Sequence, residues 1–187
     1  LSRNGGGLLT DAVRIAGLFL DKGGIVATKD GQNNISILAN GISSWQDREG
    51  KISIRSFPKE DRAAIYTGPL VVFTSRVSAS ASEIVAGALK DYHRAVIVGA
   101  DHTFGKGSVQ TLTQLPRGFG GMKVTIGLYF LPGGTSTQKT GVAADIVLPG
   151  LFSYEEIGES ALDYPLPTQT IAPFVYLPDG SSGSYPP

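Results

Sequence analysis

The 187-residue sequence has no cysteine, and its only histidines are His93 and His102. Without cysteine there are no disulfides, no thiolate metal sites and no cysteine nucleophile. No cluster of metal ligands stands out, so neither a metal nor any other cofactor is expected. No apolar run reaches the ~18 residues of a membrane span. Charge of either sign is not in excess, at 16 Lys+Arg against 16 Asp+Glu. A balanced chain has no overall basic field to attract nucleic acid or an anionic membrane.

A nucleotide-binding loop is missing too, although "HTFGKGSVQ" at 102–110 suggests one. The phosphate loop requires G-x-x-x-x-G-K-[ST], so that backbone amides wrap phosphates and a hydroxyl meets magnesium. Here Ala100 stands where the first glycine is needed, and Gly107 follows Lys106 where Ser or Thr is needed. Lys106 must therefore be a solvated surface residue or serve some other chemistry.

What is present reads as one α/β domain. Apolar residues at Leu9, Ala12, Val13, Ala16, Phe19 and Leu20 have helical spacing, closed by Gly23-Gly24. "GIVAT" at 24–28 is expected as a short buried strand, and "PLVVFTS" at 69–75 as a central strand. Residues 30–65 are polar and irregular, with hairpin strands expected at "ISIL" and "KISIR", and read as an insertion or lid-like excursion. A helix is expected over 78–95, then strands at "AVIVG", "MKVTIGLYFLPGG" and "ADIVLPG". Trp45 and Tyr66 read as packing residues. The opening "LSRNGGG" resembles the end of a strand and its turn, and "DGSSGSYPP" a frayed tail or linker. Both suggest a piece of a longer protein.

Ser80-x-x-Glu83 has the pattern of a capping box, in which serine satisfies the orphan amides of a helix start. The same geometry suits a nucleophile, because helix N-terminal amides and the dipole favour a developing oxyanion. Ala79 and Ala81 leave room for a peptide carbonyl. A serine nucleophile needs a base. His93 lies 13 residues along the same helix, or roughly 20 Å away, beyond proton transfer. His102 has no obvious acid to orient it. A lysine can serve if burial makes its amine neutral. Phe104, Val109 and two glycines give Lys106 such surroundings. Gln110, four residues on, is close to it only if the backbone turns there (~6 Å against ~13 Å along a strand).

The blocks "VSASASEIVAGALKDYHRAVIVG", "TFGKGSVQ", "NGGG" and "GGTSTQKTGVAADIVLP" resemble the carboxy-terminal processing peptidases, or tail-specific proteases. The resemblance covers most of the chain outside 30–65 and the last 35 residues. It implies a crotonase/Clp-protease-like α/β core with a parallel-rich sheet flanked by helices. Residues 1–150 would be the catalytic core and 151–187 a carboxy-terminal extension or linker. It also implies Ser80 as nucleophile, Lys106 as general base and Gln110 as its assistant, with an oxyanion hole from the amides of Gly7 and Ala81. Asp91 and Glu83 are left as supporting residues, though Asp91 reads better as a helix-end residue pairing with Arg94. Thr137 and Gln138 would line the peptide groove. The segment "GADHTFGK" carries one position more than the family spacing, and the family's PDZ module and amino-terminal part are not in these residues.

The function implied is a serine endopeptidase acting on unfolded or loosely folded proteins near their carboxyl ends, in the bacterial periplasm. Its partners would be protein substrates, the PDZ domain of the same full-length protein, and a second copy or an adaptor. Two other classes stay open. One is a catalytically silent scaffold that grips peptides by strand addition. The other is a crotonase-like acyl-CoA enzyme.

Overall fold

The two segments with helical periodicity become helices α1 (Leu9–Gly17) and α2 (Ala81–Asp91). The structure is a computed structural model that describes residues 1–21, 23–39, 42–46, 52–56, 64–150 and 157–175. α1 buries Ala12, Val13 and Ala16, as its spacing predicts. α2 is shorter than expected at both ends. Ser78–Ser80 form the turn that delivers the helix, and His93 at φ 50° ends it. Every residue from Ala81 to Leu89 is buried, including the single charge Glu83. Gly87 lets α2 lie against Leu131, whose side chain a Cβ there would meet at 2.4 Å.

Strands are β1 (Gly24–Asp30), β2 (Ile35–Ala39), β3 (Ile42–Gln46), β4 (Ile52–Ser56), β5 (Val71–Thr74), β6 (Val96–Gly99), β7 (Ser108–Gln114), β8 (Gly121–Phe130) and β9 (Ile146–Val147). Among the described residues they form two sheets. A parallel one runs β5-β6-β9, with Val71 opposite Val96 and Val98 opposite Ile146. An antiparallel one runs β4-β3-β2-β1-β8-β7. The α/β class holds, with parallel pairing in the smaller sheet.

Among the described residues "PLVVFTS" is not a central strand, because β5 pairs only with β6. Only Val72 and Thr74 face inward, while Val71 and Phe73 are 51 % and 55 % exposed. The expected strand at "ADIVLPG" contracts to two residues, and "LSRN" forms a turn closed by Asn4 N–H on the Leu1 carbonyl at 3.0 Å. In 30–65 the described residues form a meander, β2 to β4, that widens the sheet from β1. The Trp45 side chain and the tail from 176 lie outside the described residues.

The core forms where α1 and α2 meet β1, β5 and β6, around Ile25, Ile84, Leu89, Ile97 and Tyr129. Each such apolar side chain contributes ~1.5–3 kcal/mol on burial. Residues 157–175 return to this body. Phe174 and Val175 are buried, and Ile171 N–H and Phe174 N–H reach the carbonyls of Gly134 and Pro132. The result brings three loops together: the glycine turn before α1, the serine turn before α2, and the lysine segment before β7.

Candidate active site

Asn4 fastens the glycine turn to the serine turn. Its carbonyl accepts the Ala79 N–H at 3.2 Å and the Ser82 hydroxyl at 2.9 Å. Its side-chain oxygen takes the Gly6 N–H at 2.9 Å. Gly6, at φ 104°, is pressed onto the serine turn: a Cβ there would lie 2.7 Å from the Ala79 carbonyl oxygen and 2.8 Å from the Ser80 Cβ. Gly7 is open, with nothing within 4 Å of its Cβ position. Gly6 has already spent its amide on Asn4, whereas the amides of Gly5, Gly7 and Ala81 have no protein acceptor among the described residues.

Ser80 is half-buried at the mouth of α2 with φ 56° and ψ −119°. A capping serine normally has extended backbone. Such a conformation costs about 1–3 kcal/mol and collects at functional sites. The capping-box expectation holds on the glutamate side, since Glu83 Oε2 accepts the Ser80 N–H at 2.7 Å.

The carboxylate of Glu83 reaches further than a cap. Its Oε2 also accepts the Lys106 N–H at 3.0 Å, and its Oε1 accepts the Gly105 N–H at 2.7 Å and the Thr103 hydroxyl at 2.6 Å. Burial pushes its pKa from 4.5 up to about 7, against the lowering pull of these four donors. Tyr129, fully buried on β8, ties the same pair from the carbonyl side. Its hydroxyl donates to the Lys106 carbonyl at 2.5 Å, lies 3.3 Å from the Ser80 carbonyl, and accepts from Thr137 at 2.8 Å. Burial raises the Tyr129 pKa well above its ordinary value, so the hydroxyl keeps its proton.

Lys106 is half-buried, and no hydrogen bond or ion pair reaches its amine among the described residues. Burial first, then the nearby Lys123 ammonium, lower its pKa, while Glu159 and Glu83 pull it back up. Gln110 does not sit on a turn. It follows a bulge between Val109 and Gln110 in β7, is exposed, and its amide nitrogen donates to Thr125 Oγ1 at 3.3 Å. The structure thus brings Ser80, Glu83, Lys106 and the glycine turn together, with the Gln110 amide on Thr125.

Asp91 lies at the other end of α2, roughly 16 Å along the axis from Ser80. Its carboxylate accepts the Gly133 N–H at 2.7 Å, and burial raises its pKa. The expected pairing with Arg94 is absent: Arg94 donates instead to the carbonyls of Phe19 and Tyr66. His102 has an acid after all, Asp101 at 3.8 Å, but that carboxylate is engaged by Arg76 at 2.7 Å on the surface. Thr137 and Gln138 do not line an open groove. Both are fully buried, and the Gln138 side-chain oxygen accepts the Gly107 N–H at 2.9 Å. They support the lysine segment from beneath.

Tyr129, Asn4, Thr103 and Glu159 carry site contacts that the sequence did not announce. The available signal was a tyrosine in the apolar run "LYFL" at the end of a strand, whose hydroxyl requires a partner if buried.

The model of peptidase family S41 matches residues 1–148. The chain is 36 % identical to the tail-specific protease of Haemophilus influenzae over 97 % of its own length and 24 % of that protein's. It is 38 % identical to the carboxy-terminal-processing protease of Bartonella bacilliformis, covering 79 % of this chain and 30 % of the relative. Chloroplastic processing peptidases are also among its relatives. A solved photosystem II D1 C-terminal processing protease superposes with a TM-score of 0.59 at 37 % identity, over 79 % of this chain and 33 % of that one. The chain spans about a quarter to a third of the length of these proteins. A match over four-fifths of the chain, joined to a site assembled from the very blocks that carry the likeness, has one consequence: the chain belongs to peptidase family S41.

Proposed function

We propose that these residues are the catalytic core of a serine peptidase in which Ser80 is the nucleophile and Lys106 the general base. The observation that carries this reading is the shared Glu83 oxygen, which accepts an N–H from each of the two residues. It supports a mechanism in which Ser80 Oγ attacks a peptide carbonyl while its proton passes to the neutral Lys106 Nζ. The oxyanion receives hydrogen bonds from the amides of Gly7 and Ala81 at the positive end of α2. Lys106 then gives the proton to the leaving amine, and the C–N bond breaks to leave an acyl-serine. Water, deprotonated by the same amine, cleaves the ester and restores Ser80. Gln110 assists by orienting the amine when its amide leaves Thr125.

Unfolded or loosely folded proteins, engaged near their carboxyl ends, are the substrates this reading carries over from the tail-specific and carboxy-terminal-processing relatives. A PDZ domain in the full-length protein, a second copy or an adaptor, and a periplasmic location belong to the same proposal.

The test compares Ser80→Ala, Lys106→Ala and His102→Ala in the full-length protein with an unstructured polypeptide substrate. Cleavage is expected to vanish in the first two and to survive in the third. Loss with His102→Ala and retention with Lys106→Ala would reverse the assignment.

A further inference from the structure

The lysine segment is held from a direction that the catalytic blocks do not explain. Glu159 lies beyond the stretch matched by the family model, in a single 3-10 turn, Glu159–Ala161. Its backbone N–H donates to the Phe104 carbonyl at 2.8 Å. Its side-chain Oε1 accepts from Gln138 Nε2 at 3.1 Å. The other end of that buried amide, Oε1, accepts the Gly107 N–H at 2.9 Å. Glu159 therefore grips the chain on both sides of Lys106, directly at Phe104 and through Gln138 at Gly107. Gly158 fits beneath this contact because a Cβ there would approach the Phe104 carbonyl oxygen to 3.0 Å. The segment is itself anchored: Thr168 Oγ1 donates to the Gln138 carbonyl at 2.8 Å, and the Gln169 carbonyl accepts the Ser136 N–H at 3.2 Å.

We propose that Glu159 is a positioning residue for the base, acting directly at Phe104 and through Gln138 at Gly107 to fix the segment that carries Lys106, with its carboxylate charge held against that segment. The inference rests on the assignment of Lys106 as base. Charged and titratable groups that face Lys106 are Lys123 from β8, Glu83 from α2, Glu159, and the buried Tyr129 beneath its carbonyl. Among them Glu159 and Glu83 favour the ammonium, and Lys123 opposes it.

The two tasks separate by substitution. Glu159→Gln keeps an oxygen for Gln138 and removes the charge. Glu159→Ala removes both. The experiment is the pH dependence of Ser80 labelling by a fluorophosphonate in the full-length protein, with Lys106→Ala measured alongside. With the charge gone the amine loses its proton at lower pH, so the rising limb of the Glu159→Gln profile is expected to move to lower pH with the plateau kept. Glu159→Ala is expected to lose about tenfold across the profile, in line with a lost charge-assisted hydrogen bond. A Glu159→Gln limb coincident with wild type, while Lys106→Ala is unreactive, would overturn the inference and leave the base assignment standing. Wild-type labelling in Lys106→Ala would instead overturn the base assignment, and this inference with it.

Discussion

Glu83 Oε2 accepts the backbone N–H of Lys106 at 3.0 Å while holding that of Ser80 at 2.7 Å, so one carboxylate oxygen joins two residues 26 positions apart in sequence. The distance between the two loops is set by that oxygen rather than by either side chain.

Replacing Glu83 by alanine leaves three amides, that of Gly105 buried and those of Ser80 and Lys106 part-buried, and the buried Thr103 hydroxyl without their acceptor. Each lost partner costs ~1–3 kcal/mol, so the full-length protein is expected to fold poorly or to lose most of its activity. Glu83→Gln keeps an acceptor for two of the four donors and should lose less stability than Glu83→Ala. The glutamate pKa is raised from 4.5 to about 7. Its contribution to stability is therefore fully present below pH ~4.5 and is lost as pH rises through ~7. Urea midpoints at pH 5 and pH 8 should show wild type losing stability relative to Glu83→Gln, by on the order of a few kcal/mol.

Lys123 opposes the charge on Lys106. Lys123→Gln removes that repulsion, so the amine holds its proton to higher pH. The rising limb of peptide cleavage against pH should shift upward, opposite in sign to Glu159→Gln, with the maximal rate unchanged.

Gly6→Ala places a methyl group 2.7 Å from the Ala79 carbonyl oxygen, at a φ of 104° that alanine rarely adopts. The glycine turn should be driven off Ser80, costing on the order of 1–3 kcal/mol and at least tenfold in cleavage rate. Gly5→Ala, with nothing within 4 Å, should be near neutral. Thermal melts and cleavage rates of the two variants check the contrast.

Asp91 holds the turn at Gly133, at the end of α2 opposite Ser80. Asp91→Asn can still accept that N–H and should cleave at the wild-type rate. Asp91→Ala should lose ~1–3 kcal/mol of stability while the rate per folded molecule is kept. A collapse in rate with Asp91→Asn, at unchanged stability, would assign Asp91 a direct part in the chemistry.

α1 was legible in the sequence because its buried apolar residues repeat at helical spacing, and β1 because Gly24–Ala27 form a short continuous run that is buried throughout. The edge position of β5 among the described residues was not, since Val71 and Phe73 are as apolar as core residues and only the tertiary order exposes them. The Ser80 and Lys106 blocks were legible as motifs. Their junction was not, because Glu83 works through backbone N–H groups that have no residue-type signature. Gln138 was misread for the same reason: an amide in a glycine-threonine turn looks exposed until Gly107 and Glu159 take both its ends. For Gln110 the sequence left turn and strand open, and the backbone is strand.

The most direct measurement of the central claim is the site and rate of fluorophosphonate labelling in the full-length protein at neutral pH, read by mass spectrometry of the modified peptide. The account predicts adduct on Ser80, lost in Lys106→Ala and retained in His102→Ala. An adduct on another residue, or Ser80 labelled in Lys106→Ala at the wild-type rate, would contradict it.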